Sequence, residues 1–146
     1  RTAWLFSEFG NNFLKTMLRL GQERDLLSIV SDQFGSPTYA QDLARAISDI
    51  LLKGLWDKKV CGVYHYSGGH PCSWFEFAKC IFLAAAARGI ETPKTLTAIK
   101  SSDYITPAKR PMYAVMDSSR MTVNFNLQPS DWLAGINKSL DNMALK

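Results

Sequence analysis

The chain has 146 residues, of which 47% are hydrophobic and 21% charged, and a formal net charge of +4. That length suits one unit with a real core, and the composition excludes the disordered and fibrous classes. No apolar run reaches the ~20 residues of a membrane-spanning helix, and the basic residues are too scattered for a nucleic-acid arm, so neither membrane nor nucleic acid is an expected partner. The mild positive excess suits a local anion site instead. Three cysteines, Cys61, Cys72 and Cys80, form no close pair, which fits a reducing cytoplasm better than a disulfide framework.

The predicted elements alternate between strand and helix, so the expected class is α/β. Residues 2–6 read as a short strand, apolar on both faces, and a polar turn follows through Gly10 and Asn11. Phe13, Leu14, Met17, Leu18 and Leu20 recur at helical spacing and predict a helix over 12–24. Leu26–Val30 is β-branched and apolar enough for a second strand, and 32–38 breaks the periodicity as a loop. Thr38 and Gln41 match a capping box for a helix with Leu43, Ile47, Ile50 and Leu51 inward and Gly54 as terminator. Residues 63–67 read as a strand ending in Gly68-Gly69. Ser73 and Glu76 form a second capping box, opening a helix on Phe75, Ala78, Ile81, Phe82 and Ala85 that closes near Gly89. Three prolines make 90–111 loop-like. A short strand over 113–116 and a short helix over 118–125 precede a last helix, begun by Pro129-Ser130-Asp131 and buried along Trp132, Leu133, Ile136, Leu140 and Met143. No repeat or linker divides the chain, so residues 1–146 are expected to be a single unit.

The chemistry missing from the sequence narrows the reading. A dinucleotide fingerprint needs closely spaced glycines between strand and helix; Gly62 with Gly68-Gly69 has the wrong spacing. A Tyr-x-x-x-Lys proton relay fails at every tyrosine, since the residue four positions on is Leu43, Gly68, His70, Ala108 or Asp117. Cys61, His65, His70, Cys72 and Cys80 match no common zinc spacing, so no metal is expected. The expected catalytic and cofactor-binding residues of this chain are none.

Several blocks together are similar to one family. They are Arg1-Thr2-Ala3-Trp4-Leu5-Phe6, Asn11-Asn12-Phe13 leading into Lys15-Thr16-Met17-Leu18-Arg19-Leu20, and Asp32-Gln33-Phe34-Gly35-Ser36-Pro37-Thr38 with Asp42-Leu43-Ala44. Gly62 to Gly68 and Pro107-Ala108-Lys109-Arg110-Pro111 with a trailing Asp117 complete the set. In order and spacing they resemble the dTDP-4-dehydrorhamnose reductases, extended short-chain dehydrogenase/reductases. The resemblance implies the C-terminal part of that fold: the last Rossmann strands plus a small substrate-binding lobe, without the N-terminal Rossmann half. The opening on an apolar segment without an initiator methionine fits that expectation.

The family reduces dTDP-4-dehydro-L-rhamnose to dTDP-L-rhamnose with NADPH or NADH for cell-surface polysaccharide. The resemblance therefore implies a dTDP-sugar partner. It also implies a fragment that is inactive and cofactor-free alone, and that self-associates through an exposed sheet edge. A non-catalytic regulatory protein on the same scaffold, like the relative that regulates methionine adenosyltransferase, is the alternative. Three residues are the expected substrate contacts. Trp4 sits where the resemblance places a nucleotide-sugar contact, and its indole either offers a face and an N–H to ligand or fills core. Asn12 either caps its helix or donates to ligand. Arg110 either forks onto the diphosphate or makes a surface ion pair. Asp32 and Gln33 fix their loop or reach the nucleotide. Met112-Tyr113-Ala114 departs from the small polar stretch usual after Arg-Pro. Some relatives join subunits through acidic residues on a metal, an arrangement that Gln41 and Asn142 oppose here.

Overall fold

A computed structural model describes residues 1–52, 60–104, 106, 108 and 110–144. The described residues form short strands interspersed with α-helices: β1 (Leu5–Phe6), α1 (Phe13–Glu23), β2 (Leu26–Val30), β3 (Phe34–Gly35), β4 (Thr38–Tyr39), α2 (Ala40–Leu52), β5 (Cys72–Ser73), α3 (Trp74–Ala86), β6 (Thr95–Ile99), α4 (Ser119–Phe125) and α5 (Trp132–Ala144). The α/β class follows directly. The strands pair two by two, β1 with β4 and β2 with β6 in parallel, β3 with β5 antiparallel.

Local chemistry explains most helix starts. Asn12 caps α1, its Oδ1 accepting from the Lys15 N–H at 3.2 Å. Ser73 and Glu76 make the expected reciprocal box on α3. Asp131 Oδ1 accepts from the Ala134 N–H in the first turn of α5. The box expected at Thr38 does not form. Thr38 lies in β4 and its hydroxyl donates to the Ala3 carbonyl at 2.8 Å, so a contact with the segment before β1 takes the group that a cap would need.

Other expectations are corrected by tertiary packing. The first strand is two residues long, because Trp4 takes φ +48 and breaks the extended run, and Leu5 is exposed while Phe6 is buried. The 32–38 loop contains β3 and the start of β4. The loop predicted over 90–111 contains β6, five rungs long against β2 from Leu26↔Thr95 to Val30↔Ile99. Neither 63–67 nor 113–116 is a regular strand. The first runs beside Arg1, whose N-terminus donates to the Tyr64 carbonyl and whose carbonyl accepts from the Tyr66 N–H. The second meets β3 only at a Phe34–Tyr113 bridge. On α2, Ala46 is buried while Ile47 and Leu51 are each 50% exposed, against the inward face expected for them. Leu133 is likewise exposed. Gly54 lies outside the described residues.

The core gathers around α3, which contacts α1, α5 and β2. Phe6, Leu14, Tyr39, Phe77, Ile81 and Ile136 are buried there, each at 1% exposure or less. A smaller cluster of Ala46, Tyr66, Met121 and Phe125 joins α2 to α4. Asp32 secures the 3₁₀ turn Ser101–Asp103, accepting from the Ser101 N–H at 2.9 Å and from its hydroxyl at 3.0 Å, so it fixes its loop.

Candidate functional site

Trp4 occupies the bend before β1 at φ +48, a region bulky residues avoid and one that costs ~1–3 kcal/mol. Three contacts hold it there. Its carbonyl accepts from the Thr38 N–H at 3.1 Å. Its indole stacks on Trp74 with centroids 3.5 Å apart and planes 12° from parallel. Gly35 lies against the ring so closely that a Cβ there would fall 2.3 Å from Cε2. The Nε1–H of Trp4 has no hydrogen-bond partner among the described residues, whereas the Nε1–H of Trp132 donates to the His70 carbonyl.

Asn12 has no free amide group. Nδ2 donates to the carbonyls of Ser7 and Phe9 at 2.8 and 3.0 Å, and Oδ1 is the α1 cap. Its neighbour Phe13 packs on Trp74 at 4.6 Å, which links the cap to the indole stack. Arg110 is exposed and has no ion pair among the described residues. It precedes the segment whose Met112 carbonyl accepts from the Phe34 N–H and whose Ala114 N–H donates to Phe34, each at 2.8 Å. Trp4 and the Arg110 segment therefore both border β3. Among the described residues, no hydrogen bond or ring contact joins Trp4, Asn12 and Arg110 to one another.

Sequence reasoning missed three features here. Trp74 is the first residue of α3, and nothing local announces that its ring meets Trp4. Gly35 stands in the sequence only as one residue of the 32–38 segment. Glu8 is buried, and its carboxylate accepts from Asn142 Nδ2 at 2.7 Å and from the Tyr39 hydroxyl at 3.3 Å, tying the loop after β1 to α5 and β4. Burial, then the Glu8 charge, raises the Tyr39 pKa, so the phenol stays a donor.

Two hollows lie elsewhere. An apolar cleft of about 520 Å³ is lined by Leu43, Ile50, Tyr64, Tyr66, Met121 and Phe125. A smaller one of about 230 Å³ is lined by Ser36, Gly68, Gly69, Asp117 and Ser119 among others. Hydrogen bonds from the Ser119 N–H and hydroxyl, at 2.8 and 3.0 Å, hold the Asp117 carboxyl below its ordinary pKa. Neither hollow is lined by Trp4, Asn12 or Arg110. No three His, Cys, Asp or Glu side chains among the described residues gather as metal ligands. No described helix is long and apolar enough to cross a membrane.

The turn between β1 and α1 lacks the closely spaced glycines of a dinucleotide fingerprint. The β1–α1 turn carries one glycine, Gly10, and Asn12 fills the turn with its own amide. The Lys15 N–H that a pyrophosphate would use already serves the cap.

The comparisons place this geometry among known proteins. A crystal structure of a dTDP-4-dehydrorhamnose reductase from Clostridium acetobutylicum superposes with a TM-score of 0.85 at 33% identity, covering 99% of this chain and 48% of that one. The Bacillus anthracis reductase in complex with NADP gives 0.78 at 37% identity, over 97% and 46% of the two chains. A UDP-glucuronic acid 4-epimerase from Bacillus cereus shares the fold at a TM-score of 0.72, with 15% identity. The fold is thus that of the extended short-chain dehydrogenase/reductases. The chain belongs to the RmlD substrate binding domain family, which matches residues 1–145. A dTDP-4-dehydrorhamnose reductase from Aggregatibacter actinomycetemcomitans is 45% identical over 135 residues, 90% of this chain and 46% of that protein. The Salmonella typhimurium reductase is 38% identical over 144 residues, 98% and 48%. The chain spans about half the length of the curated relatives it matches.

Proposed function

We propose that the chain is the C-terminal, substrate-binding portion of a dTDP-4-dehydrorhamnose reductase, a protein that reduces dTDP-4-dehydro-L-rhamnose with NADPH or NADH. The 45% identity to the Aggregatibacter reductase across most of the chain carries this reading. In it, Trp4 and Arg110 contact the sugar nucleotide. Arg110 offers to the diphosphate an exposed guanidinium fork with no ion pair among the described residues, and Trp4 offers an indole N–H beside β3. Asn12, its amide spent on Ser7, Phe9 and Lys15, serves the site by holding the loop and presenting Phe13 to the stack.

In this reading the relatives' remaining length holds the nicotinamide and the proton relay, and the protein works in the cytoplasm. The test is NADPH oxidation dependent on dTDP-4-dehydro-L-rhamnose. The complete protein carrying this chain turns over and the isolated 146-residue chain does not. Failure of the complete protein, or turnover by the isolated chain, refutes the assignment. We also infer that the isolated chain self-associates through β1, because no described strand takes the edge opposite β4 and Leu5 is exposed. A monomer at high concentration in sedimentation velocity refutes that part.

A further inference from the structure

The stack at Trp4 has a second member with no role assigned so far. Trp74 begins α3, and its position is set by the helix start and by Phe13. Ser73 and Glu76 fix the helix start by their reciprocal box, with the Ser73 N–H donating to the Glu76 carboxylate at 2.7 Å. Phe13, placed by the Asn12 cap, packs on the Trp74 ring at 4.6 Å. Two capped helix starts therefore converge on one indole. Trp4, by contrast, stands on strained backbone that persists only where its surroundings over-determine it. Its ring has Trp74 on one face at 3.5 Å and the Gly35 backbone in close contact.

We propose that Trp74 is a positioning residue for sugar-nucleotide recognition. It covers one face of the Trp4 indole, holds that ring on its strained backbone, and so fixes the direction of the free Nε1–H. The proposal rests on the reading of Trp4 as a substrate contact. It adds that the ligand meets Trp4 at the N–H and rim, since the face turned to Trp74 is closed. It also makes the two helix caps part of the specificity apparatus, because one sets Trp74 and the other sets Phe13 against it.

The experiment is steady-state kinetics of the complete reductase, with equilibrium binding of dTDP as a cofactor-free readout. Replacing the ring, Trp74→Leu, raises KM for the sugar nucleotide and Kd for dTDP by about three- to tenfold, the range one aromatic contact supplies. KM for NADPH stays level. Trp74→Phe keeps a ring and restores KM to within about twofold of the parent, on the same basis. In a Trp4→Ala background, Trp74→Leu adds nothing to KM. Trp74→Met removes the ring but leaves a flexible apolar chain that can fill part of the gap, and it gives the same test should Trp74→Leu not fold. If the Trp74 variants melt earlier but leave KM and Kd unchanged while Trp4→Ala raises both, Trp74 is only core and the proposal is wrong. If Trp4→Ala itself leaves KM and Kd unchanged, the substrate role of Trp4 is wrong and the proposal goes with it.

Discussion

Gly35→Ala tests how tightly Trp4 is held. The added methyl would stand 2.3 Å from Cε2, 2.6 Å from Cζ2 and 2.7 Å from Nε1 of the Trp4 indole. Carbon atoms in contact prefer about 3.5–4.0 Å, so the ring must yield by roughly an ångström or more. It has little room to do so. Trp74 already lies at stacking distance, and the φ of +48 limits how the Trp4 backbone can turn. Overpacking of this kind costs ~1–3 kcal/mol, and taking ~2 kcal/mol for a chain of this size lowers Tm by about 4–8 °C. The assay is thermal unfolding followed by near-ultraviolet circular dichroism, which reads the stacked indoles as well as the midpoint. An unchanged midpoint with an unchanged indole signal would mean that Trp4 yields freely, and the description of a clamped ring would be wrong.

Gly68→Ala should be worse, since its methyl would fall 2.2 Å from the Pro37 carbonyl oxygen, a backbone atom that cannot swing aside. Loss of soluble protein or a midpoint below that of Gly35→Ala is the expected outcome. Ser73→Ala removes half of the α3 box and should cost ~1 kcal/mol in urea unfolding, with Ser73→Asp recovering most of it. Asn142→Ala leaves the buried Glu8 carboxylate with one donor and should cost ~1–3 kcal/mol, more than Asn137→Ala on the same helix. Burial, with the charges of Glu76 and Cys80 adding to it, pushes the Cys72 thiol up from 9.0 to about 12. Burial, then Asp42, lifts Tyr66 from 10.0 to about 12. Both groups are neutral in folded and unfolded chains well below pH 9, so their contribution is complete there. It is lost as pH climbs from about 9 toward 12, where only the unfolded chain ionises them freely. Stability measured across that window should fall, and Cys72 should resist thiol reagents at pH 8 until the protein unfolds.

The residues that were legible in sequence are those whose structure is decided locally. As helix caps, Asn12 and Ser73 each act on an N–H three residues ahead, and Leu26–Val30 carries its strand character in its own side chains. Where a distant group competes, the local signal misleads. Thr38 has the residue type and spacing of a cap, but the Ala3 carbonyl takes its hydroxyl. Thr95–Ile99 lies between Pro93 and Pro107 and none of its residues is buried, so it reads as loop until β2 supplies the hydrogen bonds. Ile47 and Leu51 fit an inward helical stripe, yet only Ala46 is buried on α2. The site divides the same way. Trp4, Asn12 and Arg110 could be named from residue type and resemblance. The stack on Trp74 joins residues seventy positions apart, and no spacing rule reaches that far.

The pairing of β2 with β6 also bears on how the chain is made. Leu26–Val30 leaves the ribosome about 65 residues before its partner Thr95–Ile99, an interval of roughly 3–13 s at ordinary elongation rates. Throughout that delay the backbone groups of β2 that pair with β6 have only water as partner. Nascent chains stalled just before Thr95 should therefore be the ones most readily captured by chaperones or by one another, and release should follow once Ile99 has emerged.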